Sequence, residues 1–305
     1  MKLRIIGELI NNAYARSRRA WENRDIEGFQ ALAKSQVDHG SEYLDVIIDS
    51  TAKCTVNKEE AIAYLPTLVP ALQQVTSVPL CFDHSDIEYH RTALQHYDRN
   101  ISPAPLINSI AVSRKNLDGM IDLIREFDTN VIVVASEKFG DAGGSQPCHK
   151  PEDVHDVAGW FVDKLKSEAG RTNDQIFIDP GLAPVGADTY GLINVGLDAM
   201  KLISTDPALS GCHLVVGLSN FAWGTPVKVR HQLEKAYLTL AAANGLNFVL
   251  GNPETNPQPI PSDDPLVAKL SAALQEGRPS PGIPQEESGY DQTEAIMEIC
   301  SELSD

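Results

Sequence analysis

Residues 176–180 read Ile-Phe-Ile-Asp-Pro, a short apolar run that ends in an acid followed by proline. Three other runs of the same form end at Asp83, Asn108 and Asn220. A bounded apolar stretch of this length is typical of a strand in a parallel sheet covered on both faces. A carboxylate or amide at the end of such a strand is desolvated at the rim of the core, which costs free energy. These three residues and Asp179 are therefore predicted to line one binding site.

Strand-like runs alternate with segments of helical periodicity along most of the chain. The predicted strands are 3–6, 43–48, 80–83, 106–110, 130–135, 176–179, 213–218 and 248–250. This alternation over 305 residues predicts an α/β fold, a (β/α)₈ TIM barrel with its site at the carboxyl ends of the strands. An open doubly wound sheet is the alternative, but residues 7–11, Gly-Glu-Leu-Ile-Asn, are not the glycine-rich turn of a Rossmann fold.

Composition excludes several classes of partner. The formal net charge of -17 disfavours nucleic acid and anionic membrane surfaces. No run approaches the roughly 20 apolar residues of a membrane span. The first residues lead straight into a strand and not into a signal peptide, and the five cysteines are scattered and free of Cys-x-x-Cys pairs. We expect a cytoplasmic protein without disulfides or structural zinc.

The domain organisation is predicted to be simple. Residues 1–277 form the barrel, and residues 278–305 form a peripheral acidic tail with a short helix around 293–303. A stretch rich in Pro, Asn and Asp, residues 253–264, is predicted to be a long loop after the last strand.

The predicted ring of acids and amides suits a flat heterocycle with adjoining N–H groups, because carboxylates accept paired hydrogen bonds and amides both donate and accept. It suits a phosphate poorly, since the sequence has no Gly-x-x-x-x-Gly-Lys loop. Asp83 and Asp179 could bind Mg²⁺ in a metal-dependent hydrolase or lyase, which is an alternative of another class. The asparagines between them favour hydrogen bonding over ion binding, so we expect no protein-bound metal.

Five short motifs together resemble a known family. They are Gly7-Glu8-x-x-Asn11, Cys81-x-Asp83, Ile107-Asn108-Ser109, Ile178-Asp179-Pro180 and Gly217-Leu218-Ser219-Asn220. Their order and spacing resemble the pterin-binding methyltransferases, in particular the methyltetrahydrofolate:corrinoid methyltransferases, over about residues 4–250. The resemblance implies a homodimeric barrel that moves a methyl group between N5 of tetrahydrofolate and the cobalt of a corrinoid (cobalamin) on a separate corrinoid protein. The folate, as tetrahydrofolate or 5-methyltetrahydrofolate, is then the substrate.

The resemblance also implies a role for each matching residue. Asp83, Asn108 and Asp179 would hold the hydrogen-bonding edge of the pterin ring, and Asn220 would lie beside N5 as the catalytic residue. A tertiary amine is a poor leaving group, so N5 must gain a proton or a strong hydrogen bond as the methyl group leaves. The remaining predicted folate-binding residues are Ser219, Lys138, Glu8 and Asn11.

The sequence departs from the family pattern at three places, the first of which is Leu9, where the family has an arginine after the acid. The second strand usually ends in Asp-x-Asn-x-Gly, whereas this chain has Ile47 and Asp49 at the Asn and Gly positions, so the pterin contact there is the weakest prediction. The loop after Asn220 contains Phe221 and Trp223. Either aromatic side chain stacks on the folate tail or touches the corrinoid, or it simply packs into the core.

Two other functions share the predicted barrel. Dihydropteroate synthase also binds a pterin, and residues 49–51, Asp-Ser-Thr, resemble its second loop. That enzyme continues with Arg-Pro-Gly and has a basic residue after the last strand, both suited to anionic pyrophosphate. Here residues 52–54 are Ala-Lys-Cys and residues 251–253 are Gly-Asn-Pro. A non-catalytic folate-binding barrel is the third possibility, and the presence of Asn220 argues against it.

Overall fold

A computed structural model describes residues 2–141 and 143–304. The strands are β1 (Arg4–Asn11), β2 (Ser41–Ile47), β3 (Leu80–Asp83), β4 (Leu106–Ile110), β5 (Asn130–Val134), β6 (Glu137–Phe139), β7 (Ser145–Pro147), β8 (Ile176–Asp179), β9 (His213–Gly217) and β10 (Phe248–Gly251). The α-helices are α1 (Ala15–Asn23), α2 (Ile26–Asp38), α3 (Lys58–Gln73), α4 (Ile87–Gln95), α5 (Leu117–Phe127), α6 (Pro151–Ala169), α7 (Leu192–Thr205), α8 (Arg230–Ala243), α9 (Pro265–Glu276) and α10 (Gln285–Glu302). In these described ranges, no helix is both long enough and apolar enough to cross a membrane.

Eight strands close into a barrel in the order β1-β10-β9-β8-β5-β4-β3-β2, and every pairing between neighbours is parallel. The predicted (β/α)₈ TIM barrel is therefore confirmed. Strands β3, β4 and β8 have the predicted bounds, because each apolar run coincides with one strand. Strand β1 is longer than predicted and continues to Asn11.

The barrel interior has an apolar floor, to which each of the eight strands contributes one side chain. The apolar floor consists of Ile6, Tyr43, Cys81, Leu106, Ile132, Phe177, Val215 and Phe248. Successive side chains of a strand point to opposite faces, so the residues next to these lie on the outer face, against the helices. Phe82, Ile107 and Ile178 are examples, and all three belong to the outer core. The same alternation determines which residues face the site at the carboxyl end of the barrel.

An antiparallel pair, β6 and β7, interrupts the barrel pattern after β5 and was not predicted. Residues 136–148 contain three glycines and several polar residues without strict alternation, so they carry no strand signal. The pair is held at its base by a hydrogen bond from the Cys148 amide to the Ser136 carbonyl, at 2.8 Å.

The C-terminal helix differs from the prediction of a short, peripheral helix around 293–303. Helix α10 begins at Gln285, and its inner face is buried against α9. Gln292 is fully buried and accepts a hydrogen bond from Asn194 at 2.9 Å. It also donates one to Asp188 at 2.9 Å. Acidic residues on the outer face of α10 obscure the buried positions of its inner face in the sequence. The predicted length and the predicted peripheral position of this helix were therefore wrong.

We expect Gln292→Ala to lower the free energy of unfolding by about 2–3 kcal/mol, because it removes two buried hydrogen bonds, to Asn194 and to Asp188, and leaves a cavity. Urea unfolding measures the change. The matched control is Glu298→Ala on the exposed face of the same helix, which should change stability little. Equal stability of the two variants would contradict the packing described for α10.

Candidate functional site

The next inward-facing position on each barrel strand lies two residues beyond the apolar floor. These positions are Glu8, Asp45, Asp83, Asn108, Val134, Asp179, Gly217 and Leu250. Five of them carry acids or an amide, and we call these five residues, Glu8, Asp45, Asp83, Asn108 and Asp179, the polar ring. The ring lies at the carboxyl end of the barrel, where TIM-barrel active sites form. Four predicted site residues, Glu8, Asp83, Asn108 and Asp179, thus lie at one level at the carboxyl end of the barrel.

Asp83 and Asn108 are direct partners in the register of β3 and β4. The Asn108 amide donates a hydrogen bond to Asp45 at 3.4 Å, so Asp45 joins the same cluster. The sequence prediction missed Asp45 as a site residue, because the apolar run of β2 continues beyond it and no strand end was visible there. Asp45 lies two residues after Tyr43 and therefore on the same face of the strand, and this spacing could have identified it from the sequence.

Strand β1 has a β-bulge next to Glu8. The pairing of β1 with β2 changes register between Gly7 and Ile10, which places an extra residue in β1. Glu8 is 3% exposed, and the Tyr14 hydroxyl donates a hydrogen bond to it. The Ser219 hydroxyl donates a second one at 3.4 Å, which connects β1 with the loop after β9.

Burial dominates the electrostatics of the ring. It raises the pKa of Asp179 to about 6, against a single opposing hydrogen bond from the Gly181 amide. Burial also raises the pKa of Asp45, and the neighbouring carboxylate of Asp83 raises it further. The pKa of Asp83 is raised by burial as well, although Arg114 opposes this change. The ring is therefore an array of acceptors that gains from a ligand rich in N–H donors.

Asn220 lies in a 3₁₀ turn, Leu218–Asn220, directly after β9. Gly217 occupies the inward position of that strand, and a Cβ atom there would lie 3.3 Å from the Asn220 Nδ2 atom. The glycine therefore leaves room for the Asn220 amide beside the polar ring. This contact places Asn220 next to an inward position of β9, and its catalytic role stays a prediction.

The other predicted residues have different surroundings. Asn11 ends β1 and accepts a hydrogen bond from the Ala13 amide at 2.8 Å, so it caps a turn at the mouth. Lys138 lies on β6, and its ammonium group forms an ion pair with Asp153 of α6 at 2.8 Å. The structure does not bring Lys138 into contact with the polar ring within the described ranges, and its role in binding folate stays a prediction.

The two aromatic residues of the following loop differ in exposure. Phe221 is fully buried and stacks on Tyr237 with ring centroids 4.5 Å apart, so its role is packing. Trp223 is 61% exposed and remains free to contact a ligand or a partner. At the second departure from the family pattern, Asp49 is exposed and accepts a hydrogen bond from the Ser50 amide at 2.6 Å. Asp45 supplies the inward carboxylate of that strand instead.

Comparison with known proteins identifies the family. The family of pterin binding enzymes matches residues 8–250, a range that begins at Glu8 and ends at Leu250, both inward positions at the level of the ring. The chain belongs to this family. It is accordingly a pterin-binding TIM barrel, as the motifs and the polar ring indicated.

Relatives of this pterin-binding chain include enzymes of two activities. It is 22% identical over 286 residues to methylcorrinoid:tetrahydrofolate methyltransferase from Eubacterium limosum, covering 91% of this chain and 98% of that one. A solved dihydropteroate synthase from Clostridium difficile has a TM-score of 0.60 at 17% identity, covering 90% and 95% of the two chains. The synthase from Vibrio fischeri has a TM-score of 0.59 at 16% identity, covering 92% and 100%. At such identities the solved structures share the fold alone.

The raised pKa of Asp179 predicts a pH-dependent cost of folding. Because the folded pKa lies above that of the unfolded chain, the cost is absent below about pH 4, grows as pH rises and is complete above about pH 6. We expect Asp179→Asn, which keeps an acceptor for the Gly181 amide, to stabilise the ligand-free protein by about 1–2 kcal/mol near pH 8 and hardly at all near pH 4.

Urea unfolding of the wild type and the variant at both pH values measures this difference. Asp163→Asn, a change of an exposed carboxylate on α6, is the matched control and should show no such pH dependence. A stabilisation that is equal at both pH values would mean that ionisation of Asp179 is not its cause.

Proposed function

We propose that this barrel transfers a methyl group between N5 of tetrahydrofolate and the cobalt of a corrinoid carried by a separate protein. One observation carries the proposal. The polar ring offers a set of hydrogen-bond acceptors at the carboxyl end of the barrel. The residues after β9 and β10 are the neutral Asn220 and Asn252, whereas the pyrophosphate leaving group of a synthase would need a cation there. The relative from Eubacterium limosum, matched almost from end to end, supports the same activity.

The polar ring suits the edge of a pterin. That edge carries a ring N–H and an exocyclic amine side by side, and a carboxylate accepts both at once. Asp83 and Asp179 are candidates for this contact, and Asn108 both donates and accepts beside them. Binding would also offset the cost of burying the charged carboxylates of the ring, because each donor from the ligand favours the charged form of a carboxylate.

The charge distribution favours methyl transfer over the synthase reaction. A pyrophosphate leaving group needs cations where its charge develops. Arg114 is the cation that lowers the pKa of Asp83, but it lies on the β4 side and donates to the Ser109 carbonyl at 3.0 Å. Ser219, Asn220 and Asn252 after β9 and β10 are uncharged.

Asn220 would act on the reacting nitrogen. In the direction of folate methylation, the N5 lone pair forms the new C–N bond, the cobalt–carbon bond breaks with its electron pair on cobalt, and N5 loses its proton. An amide follows this change by switching from hydrogen-bond acceptor to donor, although it is too weak a base to take the proton itself. The barrel's main contribution is to hold the pterin in line with the methyl group.

Mixing the purified protein with tetrahydrofolate and methylcobalamin, and following the corrinoid spectrum together with 5-methyltetrahydrofolate, tests the activity. We expect methyl transfer, and we expect Asn220→Ala to slow it about 10–100-fold while folate affinity changes little. Asn23→Ala, on an exposed site in α1, is the control for a neutral asparagine change.

Three other outcomes would contradict the proposal. Absence of transfer in either direction rejects it outright. Folate binding without turnover favours the carrier function, and turnover of p-aminobenzoate with a pterin pyrophosphate favours the synthase. The homodimer and the cytoplasmic location belong to the same proposal, and sedimentation of the purified chain measures the former.

The contact between Gly217 and Asn220 allows a sharper test. We expect Gly217→Ala to shift the Asn220 amide by a few tenths of an ångström and to slow transfer, by less than Asn220→Ala does. The fold should persist, because the Gly217 backbone has φ -78° and ψ 95°, which alanine adopts without strain. The double variant should be no slower than Asn220→Ala alone, since both changes remove one interaction.

The matched control is Gly251→Ala in β10, whose added Cβ atom would lie 3.6 Å from Leu218, an ordinary van der Waals distance. It should leave transfer close to the wild-type rate. Additive losses in the double variant would show that Gly217 does not act through Asn220.

A further inference from the structure

Glu8 lies between two hydroxyl groups at the inner end of the mouth. Tyr14 donates to its Oε1 atom, and Ser219 donates to its Oε2 atom at 3.4 Å. Ser219 directly precedes Asn220, the residue proposed to lie beside N5. Ser219 therefore connects the buried carboxylate of Glu8 to the residue proposed to lie beside N5.

A cavity of about 250 Å³ borders Glu8. Tyr14, Ser219, Glu234 and His231 are among its lining residues. The His231 Nδ1 atom lies 3.0 Å from a Glu234 carboxylate oxygen, and the His231 side chain is 60% exposed. The cavity has room for several water molecules and joins Glu8 to the protein surface. A proton that reaches Glu8 therefore has a route to solvent.

The groups around Glu8 tune its proton affinity close to neutrality. Burial raises its pKa to about 7, and the hydrogen bonds from Tyr14 and Ser219 oppose this rise. The carboxylates of Glu234, on α8, and Asp83, on β3, raise it further. A group with a pKa near the working pH is best suited to accept and release a proton in the same cycle.

We propose that Glu8 takes up the proton that N5 releases when tetrahydrofolate is methylated, acting through the Ser219 hydroxyl. The inference rests on the proposed function and extends it to the fate of the proton. The N5 proton passes to Ser219 Oγ while Ser219 gives its own proton to the Glu8 carboxylate, and the neutral acid then loses a proton to water in the cavity. In the reverse direction the neutral acid supplies the proton. Glu8 does not contact N5 itself.

The pH profile of single-turnover methyl transfer tests this role. The wild-type rate of folate methylation should rise with pH, with a midpoint near 7. Glu8→Gln, which keeps the shape of the side chain and one of its two acceptor atoms, should lower the rate about 100-fold and remove that midpoint, while folate affinity is retained. Ser219→Ala should remove the same midpoint. This second variant tests the proposal even if Glu8→Gln does not fold.

Two neighbouring variants should shift the midpoint in opposite directions. Glu234→Gln removes a charge that raises the pKa of Glu8, so the midpoint moves to lower pH. Tyr14→Phe removes a hydrogen bond that lowers this pKa, so the midpoint moves to higher pH. A merely structural role of Glu8 would give no such pair of opposite shifts.

The two proposals fail in distinguishable ways. A wild-type protein without any methyl transfer rejects the proposed function. An active wild type whose pH midpoint survives in Glu8→Gln overturns only the role of Glu8. Infrared difference spectra of wild type against Glu8→Gln give a readout without turnover, since a carboxyl band that titrates near pH 7 supports the proposal and a band that titrates near 4 contradicts it.

Discussion

The alternation of side chains along the barrel strands is the constraint on which the rest of this structure depends. A strand that buries one residue in the apolar floor must turn its next residue toward the helices and the one after that back into the barrel. Cys81 and Asp83 are coupled in this way, and so are Phe177 and Asp179. The helices and the floor thus hold the carboxylates in place from both sides. The site is rigid because its residues belong to the barrel strands themselves.

The same alternation explains how much the sequence could predict. Where an apolar run stops at the ring, as at Asp83, Asn108 and Asp179, the strand, its end and its site residue are visible together. Asp45 was missed because its strand continues with apolar residues beyond the ring. The extra residue in β1 beside Glu8 depends on the pairing of β1 with β2, which the sequence of a single strand does not reveal.

Other features depended on tertiary contacts that leave little local signal. The hairpin of β6 and β7 is too short and too polar to be recognised from periodicity. The length and the burial of helix α10 were underestimated because acidic surface residues dominate its composition. Its buried face depends on individual tertiary contacts, such as that of Gln292 with Asn194. The position of Lys138 against α6 follows from the hairpin and was equally hidden. Local patterns therefore located the floor and most of the ring, but not the elements packed around them.

The polar ring is also uneven around the barrel. Four of its five members occupy the contiguous strands β1 to β4, whereas Asp179 lies on β8, on the opposite wall, where its neighbours at the same level are Val134, Gly217 and Leu250. A flat ligand with one donor-rich edge satisfies its hydrogen bonds in a single orientation against such a wall. The same face of its ring is then turned outward each time it binds. The barrel thereby imposes stereochemistry on whatever approaches from the mouth, and it does so through strand order alone.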